Sequence, residues 1–260
     1  MPRNPPLQDL LDQYKEGRIT LAAAAEAIEG LRLDRIGDFA CIDTGRGVRC
    51  GMPEVVLAEG KDPDHLAEIV LRLAVSAGRG IATRVTTEQA ACIREKAGRD
   101  GIAAEYHEKG QVLIAGNGPV PKRTGGIVGI ITAGTSDIRV AEEARIIAEE
   151  MGCEVLTAYD VGAAGIHRLF PALKPLLGAH AFVVCAGREG TLPAVVAGLV
   201  DKPVIGIPVS VGYGYMGGGR AALASMLQSC SVIAVVNIDA GFTGGAFAAR
   251  IANLGAGGKP

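Results

Sequence analysis

The stretch Gly126-Ile127-Val128-Gly129-Ile130-Ile131-Thr132-Ala133-Gly134-Thr135-Ser136-Asp137 decides how this chain folds. Its first eight residues form a nearly unbroken apolar run of strand length. Its last four are turn and helix-capping types. A strand covered on both faces reads as a continuous apolar run, whereas one with a wet face alternates. Four more such runs follow, at 155–158, 181–186, 204–209 and 232–238, each trailed by a helical pattern. Five repeats of strand then helix predict a doubly wound parallel sheet over residues 123–260. In such sheets ligands sit at the carboxyl ends of the strands, so the residues just after each run are the place to look for chemistry.

Working outward, residues 37–122 alternate shorter strand and helix signals. Glu54-Val55-Val56-Leu57 reads as a strand, Asp62-Pro63-Asp64 opens a helix closed by Ala77-Gly78, and Thr86-Thr87-Glu88-Gln89 starts another. The segments 103–107 and 111–115 read as a hairpin around Lys109-Gly110. Together these predict a smaller α/β domain, with Asn117-Gly118-Pro119-Val120-Pro121 as the boundary. Residues 1–36 read as a helical arm, suited to packing or oligomer contacts.

Composition narrows the function. The chain has 260 residues, 48% hydrophobic and 21% charged, enough apolar side chain for a core. A formal charge of −2 and an aromatic content of 4% supply neither a basic footprint nor stacking platforms, so nucleic acid is not an expected partner. No run of about 20 apolar residues predicts a membrane span. The acidic start lacks the apolar region of a signal peptide. Six scattered cysteines without a Cys-x-x-Cys pair predict reduced thiols and a cytoplasmic protein.

The strand ends carry the candidate site. After the first run, Gly134-Thr135-Ser136-Asp137 opens a helix whose N–H groups favour an anion, though Ser136 or Asp137 also suits plain capping. After the second come Asp160 and, on the following helix, His167 and Arg168, suited to proton work and phosphate. After the third, Glu189 sits between Gly187-Arg188 and Gly190 as a candidate base, while Cys185 within the strand reads as inert core. After the fourth, Ser210-Val211-Gly212-Tyr213-Gly214-Tyr215-Met216-Gly217-Gly218-Gly219 looks like a nucleotide cover without a P-loop signature. Cys230 precedes the fifth run, at the C-terminal end of a helix over 220–228, where no helix N-terminus activates the thiol.

Gly134-Thr135-Ser136-Asp137, Gly165-Ile166-His167-Arg168 and Ala186-Gly187 with Leu192-Pro193 resemble segments of the aminoimidazole ribonucleotide carboxylase/mutase family. Thr191 stands where that family has a histidine, and Gly165-Ile166 where it has Ser-Ala. The whole chain is more similar to the LarB family of nickel-pincer nucleotide biosynthesis. The similarity runs through Gly51-Met52-Pro53-Glu54-Val55-Val56, Asp160 to Arg168, Glu189-Gly190 with Leu192-Pro193, Ser210 to Gly214, and Cys230 before Val235-Val236-Asn237-Ile238-Asp239.

That resemblance implies an enzyme acting on nicotinic acid adenine dinucleotide and carbon dioxide or bicarbonate. It carboxylates C5 of the pyridinium ring and cleaves the phosphoanhydride, releasing AMP and pyridinium-3,5-biscarboxylic acid mononucleotide. It implies that Cys230 adds to the ring and that Glu189 lies beside it. His167 is then a basic partner, with Arg168, Gly187, Ser210, Gly212, Tyr213 and Gly214 in substrate binding. Magnesium is the expected ion, with Asp160 and Asp239 as candidate ligands and no tightly bound organic cofactor. A homo-oligomer, an octamer by the resemblance, is expected. The competing readings are an aminoimidazole ribonucleotide carboxylase/mutase, or a non-catalytic adenine-nucleotide-binding module.

Overall fold

The computed structural model describes residues 5–257. Met1–Asn4 of the expected helical arm and the last three residues of the expected large domain lie outside them. The chain divides into two compact units. One holds the residues up to Glu105 together with Leu113–Gly118, and the other holds Tyr106–Val112 and everything from Pro119.

In the first unit, α1 (Pro5–Lys15) and α2 (Leu21–Glu29) precede a two-stranded antiparallel ribbon, β1 (Asp34–Ile36) with β2 (Ala40–Ile42), and a short α3 (Arg46–Cys50). Then come β3 (Val55–Leu57), α4 (Pro63–Ala77), β4 (Gly80–Thr83), α5 (Thr87–Arg99), β5 (Ala104–His107), whose last two residues fall in the second unit, and β6 (Val112–Ala115), whose first residue does. Their sheet has the order β3-β4-β6-β5, with β3 parallel and β6 antiparallel to β4. Local chemistry starts each helix. Asp62 accepts the N–H groups of Asp64 and His65 ahead of α4, and Thr86 and Gln89 exchange reciprocal bonds ahead of α5. The Gln89 amide is buried and donates to the carbonyls of Ala58 and Lys61, tying α5 to the loop after β3.

The second unit is the doubly wound sheet. Its strands are β7 (Ile127–Thr132), β8 (Glu154–Ala158), β9 (Ala181–Ala186), β10 (Val204–Pro208) and β11 (Ala234–Val235). They lie in the order β11-β10-β9-β7-β8, every pair parallel. The connecting helices are α6 (Ile138–Glu150), α7 (Leu169–Leu173), α8 (Leu192–Ala197) and α9 (Arg220–Leu227), with α10 (Gly241–Gly255) closing the chain. Ile131, Phe182 and Val184 pack with Leu169, Leu192, Val196, Ala222 and Met226 into one core layer, so α7, α8 and α9 share a face. Helices α6 and α10 pack together on the other. The fifth strand is shorter than the run 232–238 suggests, with only Ala234 and Val235 paired to β10. It is an edge strand; Val232 at the start of the run is 95% exposed, while Ile233 and Val235 pack against the core.

Candidate active site

The carboxyl ends of β7, β8, β9 and β10 surround a cleft of about 680 Å³. Its wall includes Gly134, Ser136, Asp137, Arg168, Gly187, Arg188, Glu189, Gly212 and Tyr213. A smaller cavity of about 300 Å³ adjoins it and shares Arg188, Glu189, Gly212 and Tyr213, so these four residues form a common wall.

The backbone explains why glycine recurs here. An added Cβ on Gly187 would sit 2.5 Å from the Val211 carbonyl, which brings the β9 and β10 loops together. Gly190 has φ +67°, and a Cβ there would meet the Ala222 backbone at 2.7 Å. The tight turn Gly187–Gly190, closed by the Gly190 N–H on the Gly187 carbonyl, therefore holds Arg188 and Glu189 outward into the cleft wall.

Asp137 forms the floor. It is 4% exposed and accepts the Gly134 N–H at 2.8 Å. Burial pushes its carboxyl up to about 6, against the opposing pull of backbone N–H groups of Gly134 and Gly187; the charges of Asp239 and Glu189 push the same way as burial. Capping is thus one of its tasks, and facing the cleft is another.

Several expected residues are elsewhere. His167 is exposed and does not line the cleft. Residues Ala163–Arg168 form a 3-10 segment with a non-helical kink at Gly165, not the regular helix expected. That turn folds the Arg168 side chain back over Gly165 to Asp160, at 2.8 Å, and leaves His167 to solvent. Thr135, Ser210 and Gly214 also lie off the cleft wall. Ser210 donates its N–H to Asp239 at 2.9 Å, so its place is in positioning the β10 loop.

The two expected metal ligands do not fit that task. Asp160 is ion-paired with Arg168, and Asp239 faces Arg139 at 3.4 Å while accepting the Ser210 N–H. Among the described residues no group of three His, Cys, Asp or Glu could hold a metal ion. Each carboxylate already has a cation, so these side chains build no magnesium cradle.

Cys230 is exposed and lines neither cavity. The topology accounts for this. Helix α9 starts beyond the carboxyl end of β10 and runs back, so Cys230, between α9 and β11, lies at the amino edge of the sheet. Glu189 follows β9 and lies at the carboxyl edge. One chain therefore does not bring the thiol to its own cleft. All six cysteines are free, and Cys185, fully buried, is held well above its ordinary range by burial. Arg188 is a cleft residue beyond those expected from the sequence. It lies 4.5 Å from the Tyr213 ring centroid, and its position directly after a strand end was the available signal.

Residues 33–117 match the family described as LarB/PurE-like N-terminal domain, and residues 127–257 match the AIR carboxylase family. That pairing is decisive. The chain belongs to the LarB family. An uncharacterized protein of Methanocaldococcus jannaschii is 43% identical over 95% of this chain and 97% of its own length. An N5-carboxyaminoimidazole ribonucleotide mutase of the same organism is 34% identical over 43% of this chain and 69% of its own length. A probable enzyme of that type from Methanothermobacter thermautotrophicus is 32% identical over 48% of this chain and 38% of its own length. Both of these align with only about half of the chain or less, whereas the LarB-type pairing spans both units. The domain set is that of a carboxylase/mutase-type enzyme acting on a nucleotide. Among the described residues no helix is long and apolar enough to cross a membrane.

Proposed function

We propose that this LarB-family chain carboxylates the pyridinium ring of nicotinic acid adenine dinucleotide at C5 and hydrolyses its phosphoanhydride. The observation that carries the reading is the shared wall. Glu189 stands with Arg188 between two adjoining cavities, an arrangement suited to a two-part ligand whose reactive ring lies at the wall. Ser136, ahead of α6, and Arg168 line the same cleft and offer a polar group and charge for phosphate.

The ring chemistry needs a nucleophile. A pyridinium carbon is electron-poor and does not attack carbon dioxide. A thiolate bonding to C4 turns the ring into a neutral dihydropyridine whose C5 is an enamine carbon. The C5 electron pair then forms the new bond to carbon dioxide, leaving an iminium at C6. Glu189 takes the C5 proton, which restores the enamine, and departure of the thiolate from C4 restores the aromatic cation. The thiolate is returned unchanged. The cationic ring itself stabilises the thiolate that approaches it.

In this reading Cys230 is the thiol for this step and serves the cleft of a second copy, an assignment supported by its place at the far sheet edge. Leu227, 66% exposed, and Val232 flank it with apolar surface of the kind another chain covers. Co-expression of Cys230→Ala and Glu189→Gln chains tests this. Each variant alone is inactive, and mixed assemblies recover about one quarter of wild-type carboxylation, because a site needs one intact chain of each kind. Mass spectrometry reads the gain of one carboxyl and the release of AMP. Mixed assemblies without activity would remove the thiol in trans, and a Cys230→Ala chain at full rate would remove the covalent route altogether.

A further inference from the structure

Two guanidinium groups reach the cleft wall among the described residues, and their surroundings differ. Arg168 is already paired with Asp160. Arg188 has no carboxylate partner among the described residues and lies against the ring of Tyr213, 4.5 Å from its centroid. A guanidinium resting on an aromatic face keeps its in-plane N–H groups for another acceptor. Those groups form a planar fork that matches a carboxylate through two parallel hydrogen bonds. Arg188 also precedes Glu189 directly in the tight Gly187–Gly190 turn, so the fork and the proposed base reach the same wall.

We propose that Arg188 binds the carboxylate on the pyridinium ring, with Tyr213 as the residue that positions it. The pair selects the acid form of the dinucleotide over its amide form. This inference rests on the substrate class proposed above. A diphosphate is present in both forms, so selection between them isolates the ring substituent. An amide at that place carries no charge and turns an N–H group toward the fork, so one hydrogen bond becomes a donor facing donors.

Equilibrium binding to the full chain, measured calorimetrically without carbon dioxide, tests the assignment with nicotinic acid adenine dinucleotide and nicotinamide adenine dinucleotide as probes. Wild type is expected to prefer the acid form by about tenfold or more, the size of one charge-assisted bidentate pair. Arg188→Gln removes the preference and leaves the amide form bound within about twofold of wild type. Arg188→Lys keeps the charge without the fork and gives an intermediate ratio. Tyr213→Leu lowers the ratio while leaving the thermal transition unchanged. A preference that survives Arg188→Gln overturns the assignment. So does an equal loss for both probes, which would place Arg188 on the diphosphate. Wild type binding neither probe would instead overturn the substrate reading itself, and this inference with it.

Discussion

Replacing Asp137 with asparagine should reshape the pH dependence of stability in the second unit. The carboxyl is pushed up to about 6 in the fold, with an ordinary value of 3.8. The folded chain thus holds a proton that the unfolded chain releases. This group's stabilisation is fully present below about pH 4, is lost as pH rises, and levels off above about pH 6. The full span is a little over two pH units at about 1.36 kcal/mol each, or about 3 kcal/mol. Roughly half is gone by about pH 5, and about 1.4 kcal/mol more is lost between about pH 5 and pH 7.5. Asparagine does not ionise. Its oxygen still accepts the Gly134 N–H, but its NH₂ turns toward the Gly187 N–H, which bonds the native carboxyl. That mismatch costs about 1–3 kcal/mol at any pH. Relative to wild type, Asp137→Asn is therefore expected to gain about 1.4 kcal/mol between about pH 5 and about pH 7.5. Pulse-labelling hydrogen exchange of β7 and β9 across a urea series reads this unit directly. A stability of wild type minus variant that stays constant or rises with pH would refute the account of Asp137 as a desolvated, partly protonated carboxyl.

Gly190→Ala forces a left-handed residue and a Cβ against the Ala222 backbone, so the second unit should lose about 2 kcal/mol or more, seen as a lower thermal transition. Glu189→Gln touches an exposed side chain; stability should stay within about 0.5 kcal/mol while carboxylation falls by about 10²–10⁴, measured by product formation. Thr86→Ala breaks the reciprocal cap of α5 and should cost about 1 kcal/mol, read as faster amide exchange in the first turn of that helix.

Much of this protein is written locally. Continuous apolar runs mark β7, β9 and β10 because a strand buried on both faces has no polar side to show, whereas the edge strand β8 leaves Glu154 and Thr157 exposed. Asp62, Thr86 and their partners mark helix starts because orphan N–H groups take the nearest acceptor. The rule that ligands meet strand ends then singled out Gly134, Asp137, Gly187 and Glu189, all of which line the cleft. What chain order alone left undecided is which side chains meet. His167 and Arg168 are neighbours, yet a kink at Gly165 turns only Arg168 inward. Asp160 and Asp239 read as bare metal ligands until the fold set arginines beside both. Cys230 and Glu189 belong to one motif set, but parallel strands and a returning helix send them to opposite sheet edges. Periodicity and capping act over a few residues and can be read along the chain. Charge pairing and the sharing of a site act through space, and only the packing of strands in the order β11-β10-β9-β7-β8 settles them.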